Sequence, residues 1–286
     1  MRIEVKDVSK RYGKKTALKH VTFTLEGPKI YGLLGRNGAG KTTFMDILAG
    51  HRLATSGEIT IDGKKPFDNR EILKNICLIK EADNFHENMR IKHIYKSYAY
   101  FYPNWDQPLA DRLTEMYGLN KNARFKTLSK GMASAVGIIV GLASKAPITI
   151  FDEPYIGLDA NARKQFYDIL VEEYEKEKRM IIFSTHLIDE VSLLFEEILI
   201  LKEGELILQE DADQLRSKSF SVTGSVDEVE KFIANKQVIN KKKLANMMTA
   251  YVYGSPDEAA ERKLRVEGMP IQDLIIYLTE TEKEAN

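Results

Sequence analysis

Of the 286 residues only Cys77 is a cysteine. An internal disulfide is therefore excluded, and a reducing compartment suits the chain. A long apolar run is also missing: the best stretch, residues 136–143, is broken by glycine and falls well short of the roughly 20 residues of a membrane span. The opening Met1-Arg2-Ile3-Glu4-Val5-Lys6 carries no apolar region of the secretory kind. Any work at a membrane is thus expected to borrow its membrane part from a partner. Nor is there an excess of either charge. Lys+Arg and Asp+Glu number 42 each, so the basic footprint of a nucleic-acid binder is absent and no nucleic-acid partner is expected. What the length does permit is one large domain with a full core and a second, smaller one.

The most informative stretch lies near the N-terminus. Ile30-Tyr31-Gly32-Leu33-Leu34 reads as a short buried strand, and Gly35-Arg36-Asn37-Gly38-Ala39-Gly40-Lys41-Thr42-Thr43 follows it into an amphipathic helix. This is G-x-x-x-x-G-K-[ST] in the strand-to-helix setting that its mechanism requires. Glycines 35, 38 and 40 can take backbone angles closed to other residues, so successive N–H groups can surround one anion. The unpaired N–H groups of the helix start add partial positive charge. The expected nucleotide-binding set is Gly35, Asn37, Gly38, Gly40, Lys41, Thr42 and Thr43. Lys41 would reach the β- and γ-phosphates, and the Thr42 hydroxyl would hold Mg2+.

Elsewhere the pattern alternates between strands and helices. Ile3 to Val5 and Val21 to Leu25 alternate as half-buried strands around a turn at Gly13, beside which stands Tyr12. That ring can stack on a purine or pack on the sheet. Residues 57–63 and 75–79 read as further strands, the second ending at Lys80-Glu81. Residues 83–145 read as mostly helical. They hold the aromatic cluster Tyr95, Tyr98, Tyr100, Phe101, Tyr102 and Trp105, which suits either the core of a helical subdomain or a docking surface for a partner helix. Leu128-Ser129-Lys130-Gly131-Met132 precedes an apolar helical run, with Ser129 as a cap. The buried strand 148–151 ends in Asp152-Glu153. At a strand tip beside a phosphate loop, the first acid can bind Mg2+ through water and the second can orient or deprotonate an attacking water. Gly157-Leu158-Asp159 opens a helix to about residue 178. The strand 180–184 leads to Thr185-His186, at the end where ligands collect in open α/β sheets.

Taken together these motifs resemble the nucleotide-binding subunit of ATP-binding cassette (ABC) transporters over about residues 1–215. Residues 35–43 match the Walker A motif, 148–153 the Walker B motif, 157–159 the D-loop and His186 the switch histidine. Residues 128–132 are similar to the family's L-S-G-G-Q signature, and Tyr12 falls where the family places its adenine-stacking aromatic. The resemblance implies an α/β fold with a P-loop NTPase (RecA-like) core, an antiparallel β subdomain and an inserted helical subdomain at about 83–145. It also implies ATP and Mg2+ as ligands, with catalysis by Glu153, His186, Lys41 and Glu81 and metal binding by Thr42, Asp152 and Glu81. Two subunits would pack head to tail, Ser129 and Gly131 of one closing over the γ-phosphate held by the other, with Asp159 communicating across the interface. The second subunit would be an identical copy or a paralogue, and closure would drive polytopic membrane permease subunits from the cytoplasmic face of the membrane.

Two motifs depart from the family pattern. Glu81 stands where glutamine is usual and, while ionised, cannot donate a hydrogen bond. The signature carries Lys130 and Met132 in place of glycine and glutamine. The one-cassette organisation, these departures and the tail look most like Gram-positive peptide and antibiotic exporters. In the tail, 216–286, residues 220–223 and 248–252 read as strands, 226–234, 256–267 and 271–278 as helices, and Lys241-Lys242-Lys243 as a solvated loop, with contact to lipid head groups as the alternative. This predicts a small α+β accessory domain. Competing readings are a soluble ABC ATPase serving translation, DNA or cofactor assembly, and a P-loop kinase or GTPase. Single-cassette organisation and neutral charge count against the first; the signature and His186 are superfluous for the second.

Overall fold

The computed structural model describes residues 1–254 and 264–279. The chain begins with β1 (Arg2–Tyr12), β2 (Lys15–Glu26) and β3 (Ile30–Leu34), then α1 (Lys41–Leu48), β4 (Ser56–Ile61), α2 (Arg70–Leu73) and β5 (Ile76–Ile79). Helices α3 (Ile91–Phe101), α4 (Gln107–Met116) and α5 (Lys130–Ala143) follow, then β6 (Ile148–Asp152), α6 (Ala160–Lys176), β7 (Met180–Ser184) and α7 (Ile188–Val191). Next come β8 (Glu197–Lys202), β9 (Glu205–Asp211), α8 (Ala212–Lys218), β10 (Ser219–Ser225), α9 (Val226–Ile233), β11 (Gln237–Leu244), β12 (Met247–Tyr253), β13 (Arg265–Gly268) and α10 (Ile271–Thr279).

Strands β3, β6 and β7 are apolar along most of their length and buried at every residue, as strands covered on both faces must be. They lie inside a six-stranded sheet of order β5-β6-β7-β3-β8-β9, parallel except for the antiparallel β9 edge. Alternate side chains supply two cores. Tyr31, Leu33, Ile148, Ile150 and Ile182 face α1 and the antiparallel sheet β2-β1-β4, where Phe23 meets Phe44 at a ring separation of 5.2 Å. Ile30, Leu34, Phe151, Ile181 and Phe183 face the helical layer of α3 to α6. Close approach of α5 to the sheet depends on two glycines. A Cβ on Gly141 would lie 2.4 Å from the Phe151 ring, and one on Gly137 would lie 2.9 Å from Ile79.

The aromatic cluster divides between its two expected uses. Tyr95 is buried, Tyr98, Tyr102 and Trp105 pack against the same core, and Tyr100 and Phe101 point outward at 80% and 66% exposure. In the tail, the sheet β11-β12-β10-β13 is antiparallel throughout, which is the strand order of the ferredoxin-like split βαβ. Two expectations are corrected here. Lys241, Lys242 and Lys243 lie on the edge strand β11, not in a loop; charged edge strands are common because they discourage pairing with another chain. The helix expected at 256–267 falls mainly outside the described residues, and its end is instead the edge strand β13, where Val266 pairs with Val222. Helix α10 then returns to the main body, placing Ile271, Leu274 and Ile275 in the core that contains Ile188 and Val191 of α7.

Two carboxylates are buried as parts of ion-pair clusters. Burial alone would raise the pKa of Asp46. Hydrogen bonds from Arg52 at 3.0 Å and Lys80 at 3.1 Å more than reverse this, leaving it lowered. Glu173 follows the same pattern, with Lys145 at 2.6 Å and Lys176 at 2.9 Å outweighing burial. The unfolded chain therefore takes up these protons at higher pH than the folded one. The stability that the clusters contribute is complete above roughly pH 4.5 and is lost as pH falls through the folded values. The urea midpoint is expected to hold between about pH 5 and 7 and to fall below about pH 4.5; an unchanged midpoint near pH 3.5 would contradict this.

Candidate active site

Strands β5, β6, β7 and β3 are parallel neighbours, so their carboxyl ends open along one edge of the sheet. That edge receives Glu81 after β5, Asp152 and Glu153 at the end of β6, Thr185 and His186 after β7, and the glycine loop after β3. In the loop Gly35 has φ 144° and Gly40 φ 110°, values that a side chain at either position would not tolerate. Space forbids it as well: a Cβ would lie 2.3 Å from the Leu201 carbonyl oxygen at Gly35 and 2.6 Å from that of Ala17 at Gly40. Gly40 precedes α1 with no side chain capping it, so the first-turn N–H groups are available to an anion.

The resulting cleft, about 260 Å3, is lined by Tyr12, Lys15, Asn37, Gly38, Gly40, Lys41, Thr42, Thr43, Glu81, Asp152 and Glu153. Lys41 is buried, and its ammonium donates to the Gly35 carbonyl at 2.6 Å and the Arg36 carbonyl at 3.3 Å. Burial lowers its pKa, against the opposing pull of Glu153 and Asp152. The Thr42 hydroxyl donates to Asp152 Oδ2 at 2.7 Å, while Ser184 donates to Oδ1 at 2.5 Å. The second follows from register, since Asp152 pairs with Ser184 across β6 and β7. A hydroxyl and a carboxylate side by side on the wall of a wet cleft are hard oxygen donors suited to Mg2+, which keeps most of its waters and takes few protein ligands.

Glu153, next along the chain, has φ 51° and a side chain turned toward the β7 end. Its Oε2 lies 2.7 Å from His186 Nδ1 and 2.5 Å from the Tyr155 hydroxyl. His186 thus joins the site through Glu153. Tyr12 is two-fifths exposed, and Lys10 and Arg52 lie over its ring at 5.1 and 5.5 Å. It stands at one end of the cleft as a partly exposed ring with two cations over it.

Three expected residues stand apart from this cleft. Ser129 caps α5, accepting the Met132 N–H at 3.2 Å, and Asp159 caps α6, accepting the Ala162 N–H at 2.8 Å; both are exposed. Gly131 packs on the D-loop so closely that a Cβ there would lie 2.5 Å from the Gly157 carbonyl oxygen. Glu81 does line the cleft, but its Oε1 is 3.4 Å from Lys130 Nζ. Two of the residues that depart from the family pattern, Glu81 and Lys130, are therefore paired with each other.

Lys15, Ser184, Tyr155 and Thr185 also belong to the site. A lysine that opens β2 and a strand-end serine carry no mark in sequence, and Ser184 becomes recognisable only once β6 is paired with β7. Tyr155 lies two residues beyond Glu153, but its other partners, Thr185 and His186, come from the end of another strand.

A family model described as ABC transporter matches residues 18–156. The chain is 32% identical over 221 residues to the bacitracin transport ATP-binding protein BcrA of Bacillus licheniformis, covering 76% of this chain and 72% of that protein. It is 31% identical over 212 residues to the lantibiotic transport ATP-binding protein SrtF of Streptococcus pyogenes, covering 74% and 91%. Among solved structures, an ATP-binding subunit of an ABC transporter superposes with a TM-score of 0.67 at 26% identity, covering 76% of this chain and 92% of that one. The dimeric bacterial ABC transporter cassette MJ0796 superposes at 0.65 and 25% identity, covering 73% and 98%. With the phosphate loop, the paired acids and the histidine gathered on one sheet edge, this chain belongs to the ATP-binding subunits of ABC transporters, a family of P-loop enzymes that bind and hydrolyse ATP.

Proposed function

We propose that this subunit powers export of peptides or antimicrobial compounds, working as one of two cassettes that close over ATP beneath membrane permease subunits. The observation that carries this reading is the division of the predicted site. The triphosphate cleft gathers on one sheet edge, whereas Ser129 and Asp159 sit exposed at helix starts away from it, as the two halves of a shared pocket would. Residues 1–215 act as the ATPase domain and 216–286 as an accessory domain. The names of BcrA and SrtF, which are bacitracin and lantibiotic transport proteins, support the substrate class. The dimeric MJ0796 cassette supports the paired assembly. Among the described residues no helix is long and apolar enough to cross a membrane. The proposed site of action is the cytoplasmic membrane face, reached through the permease.

In this reading Tyr12 stacks on adenine, the loop amides from Gly35 to Thr43 surround the β-phosphate, and Lys41 exchanges its loop carbonyls for phosphate oxygens. Thr42 and Asp152 would hold Mg2+, with Glu81 near it; the ion supplies neutralisation of the polyphosphate charge. Glu153 takes a proton from water as that oxygen bonds to the γ-phosphorus and the bond to the bridging oxygen breaks, leaving ADP and phosphate. His186 turns from Glu153 to the γ-phosphate when nucleotide and the second subunit are in place. Permease docking is assigned to the groove of about 630 Å3 between α2 and the end of α3, where Tyr100 and Phe101 offer apolar surface beside Arg70, Glu71 and Lys74.

Glu153→Gln is expected to keep ATP binding and to lower turnover by about a hundredfold or more, the usual contribution of a general base; phosphate release near the wild-type rate would refute the assignment. Shared pockets predict complementation. Lys41→Ala and Ser129→Arg subunits should each be inactive alone, and mixing them should restore turnover, because a mixed pair retains one intact pocket. No recovery in verified mixed dimers would count against composite sites. Tyr100→Ala with Phe101→Ala should leave basal ATPase intact but abolish copurification with the permease, and unchanged copurification would exclude this groove.

A further inference from the structure

The Tyr155 hydroxyl is the hub of a buried hydrogen-bond network between the ends of β6 and β7. The residue is 2% exposed, and its ring stacks on Phe183 with centroids 6.2 Å apart. Its oxygen lies 2.5 Å from Glu153 Oε2, 2.5 Å from Thr185 Oγ1 and 3.2 Å from the His186 backbone nitrogen. One distribution of protons satisfies all three contacts. The Glu153 carboxylate can only accept, so Tyr155 gives its single proton to Oε2. Thr185 already accepts the Leu187 N–H at 2.8 Å and gives its own hydroxyl proton to the Tyr155 oxygen, which also accepts the His186 N–H. Burial raises the phenol pKa far above its ordinary value, and the bond to Glu153 raises it further, so the phenol stays protonated and remains the donor.

The hydrogen bonds to the Glu153 side chain converge on Oε2, from Tyr155 and from His186 Nδ1. These two donors differ in kind. The His186 side chain is more than half exposed and sits on a loop, whereas Tyr155 is packed in the core. We propose that Tyr155 is the positioning residue for Glu153: it grips Oε2 so that Oε1 is left to the attacking water, and it keeps that grip when His186 turns away to phosphate. A hydroxyl donating to a carboxylate at this distance is among the stronger hydrogen bonds available to a side chain. Through Thr185 and the His186 amide, the same hydroxyl also ties the base to the end of β7.

The proposal rests on Glu153 being the general base, and Tyr155→Phe tests it because the ring and its packing remain while the hydroxyl is lost. The expected result is a kcat about tenfold lower, with the KM for ATP and the nucleotide Kd within about twofold of wild type. Added to Glu153→Gln, the substitution should cause no further loss of residual turnover, since it acts through that carboxylate. An unchanged kcat would overturn the proposal. So would parallel losses in kcat, KM and thermal midpoint, which denote a structural role, or a further loss in the double variant. Glu153→Gln measured alongside separates the two readings. If it still hydrolyses ATP the general-base assignment fails; if it is inactive while Tyr155→Phe matches wild type, only the positioning role fails.

Discussion

Parallel pairing is the constraint on which this molecule depends. Four neighbouring strands, β5, β6, β7 and β3, run the same way and end at one edge, so segments far apart in the chain arrive together. The register of β6 on β7 sets Asp152 opposite Ser184, whose hydroxyl holds one carboxylate oxygen while Thr42, at the start of α1 after β3, holds the other. Slipping one residue would turn Asp152 into the apolar layer and Phe151 toward the cleft. The near-continuous burial of these strands makes such a slip costly. The same apolar residues that build the two cores thereby fix the polar ones at the rim.

Charge at that rim is balanced, but not relaxed. A buried ammonium, Lys41, faces two carboxylates, and burial weakens its hold on its proton while they strengthen it. Its donors rest on carbonyls of its own loop, interactions that a triphosphate can replace with stronger, charge-assisted ones. The acids are likewise occupied, Asp152 by two hydroxyls and Glu153 by a phenol and an imidazole. In the free subunit Lys41, Asp152 and Glu153 therefore each have stand-in partners. Binding exchanges partners and leaves no buried charge alone, which would cost several kcal/mol.

Legibility in the sequence tracked how local each determinant is. The phosphate loop could be read because its glycines, lysine and threonine act within nine consecutive residues between a strand and a helix. Asp152, Glu153 and His186 could be read because each closes an apolar strand. Ser184, Tyr155 and Lys15 depend on which strands lie side by side, and one chain without its pairing carries no such signal. The aromatic cluster could not be divided in advance, since helical spacing alone does not reveal that Tyr100 and Phe101 fall on the outer side of α3. Lys241 to Lys243 look like a loop because three consecutive lysines hide the alternation of a strand; on β11 they are held by backbone pairing to β12, and Lys242 rests over the rings of Tyr251 and Tyr277. Glu81 and Lys130 could each be seen to depart from the pattern, but not that they meet.

That meeting also shows how stiffness is distributed. Around Glu153 and Asp152 the contacts are short and largely buried, and they join strand ends already fixed by the sheet. Glu81 and Lys130 are both at least half exposed and 3.4 Å apart, a geometry worth at most about 1 kcal/mol and weakened by salt. This pair links the end of β5 to the start of α5, where the helical layer meets the sheet. Lys130 also lies against Gly157, whose Cβ position is 2.9 Å from the lysine Cγ, so the signature segment touches both the loop after β5 and the loop before α6. The carboxylates of Asp152 and Glu153 are thus anchored by the buried hydroxyls of Ser184 and Tyr155, while a neighbouring contact between cleft and signature is cheap to break. The proposed pairing of two subunits calls for that asymmetry: a rigid half-site, with a readily exchanged polar contact at the surface where the partner would arrive.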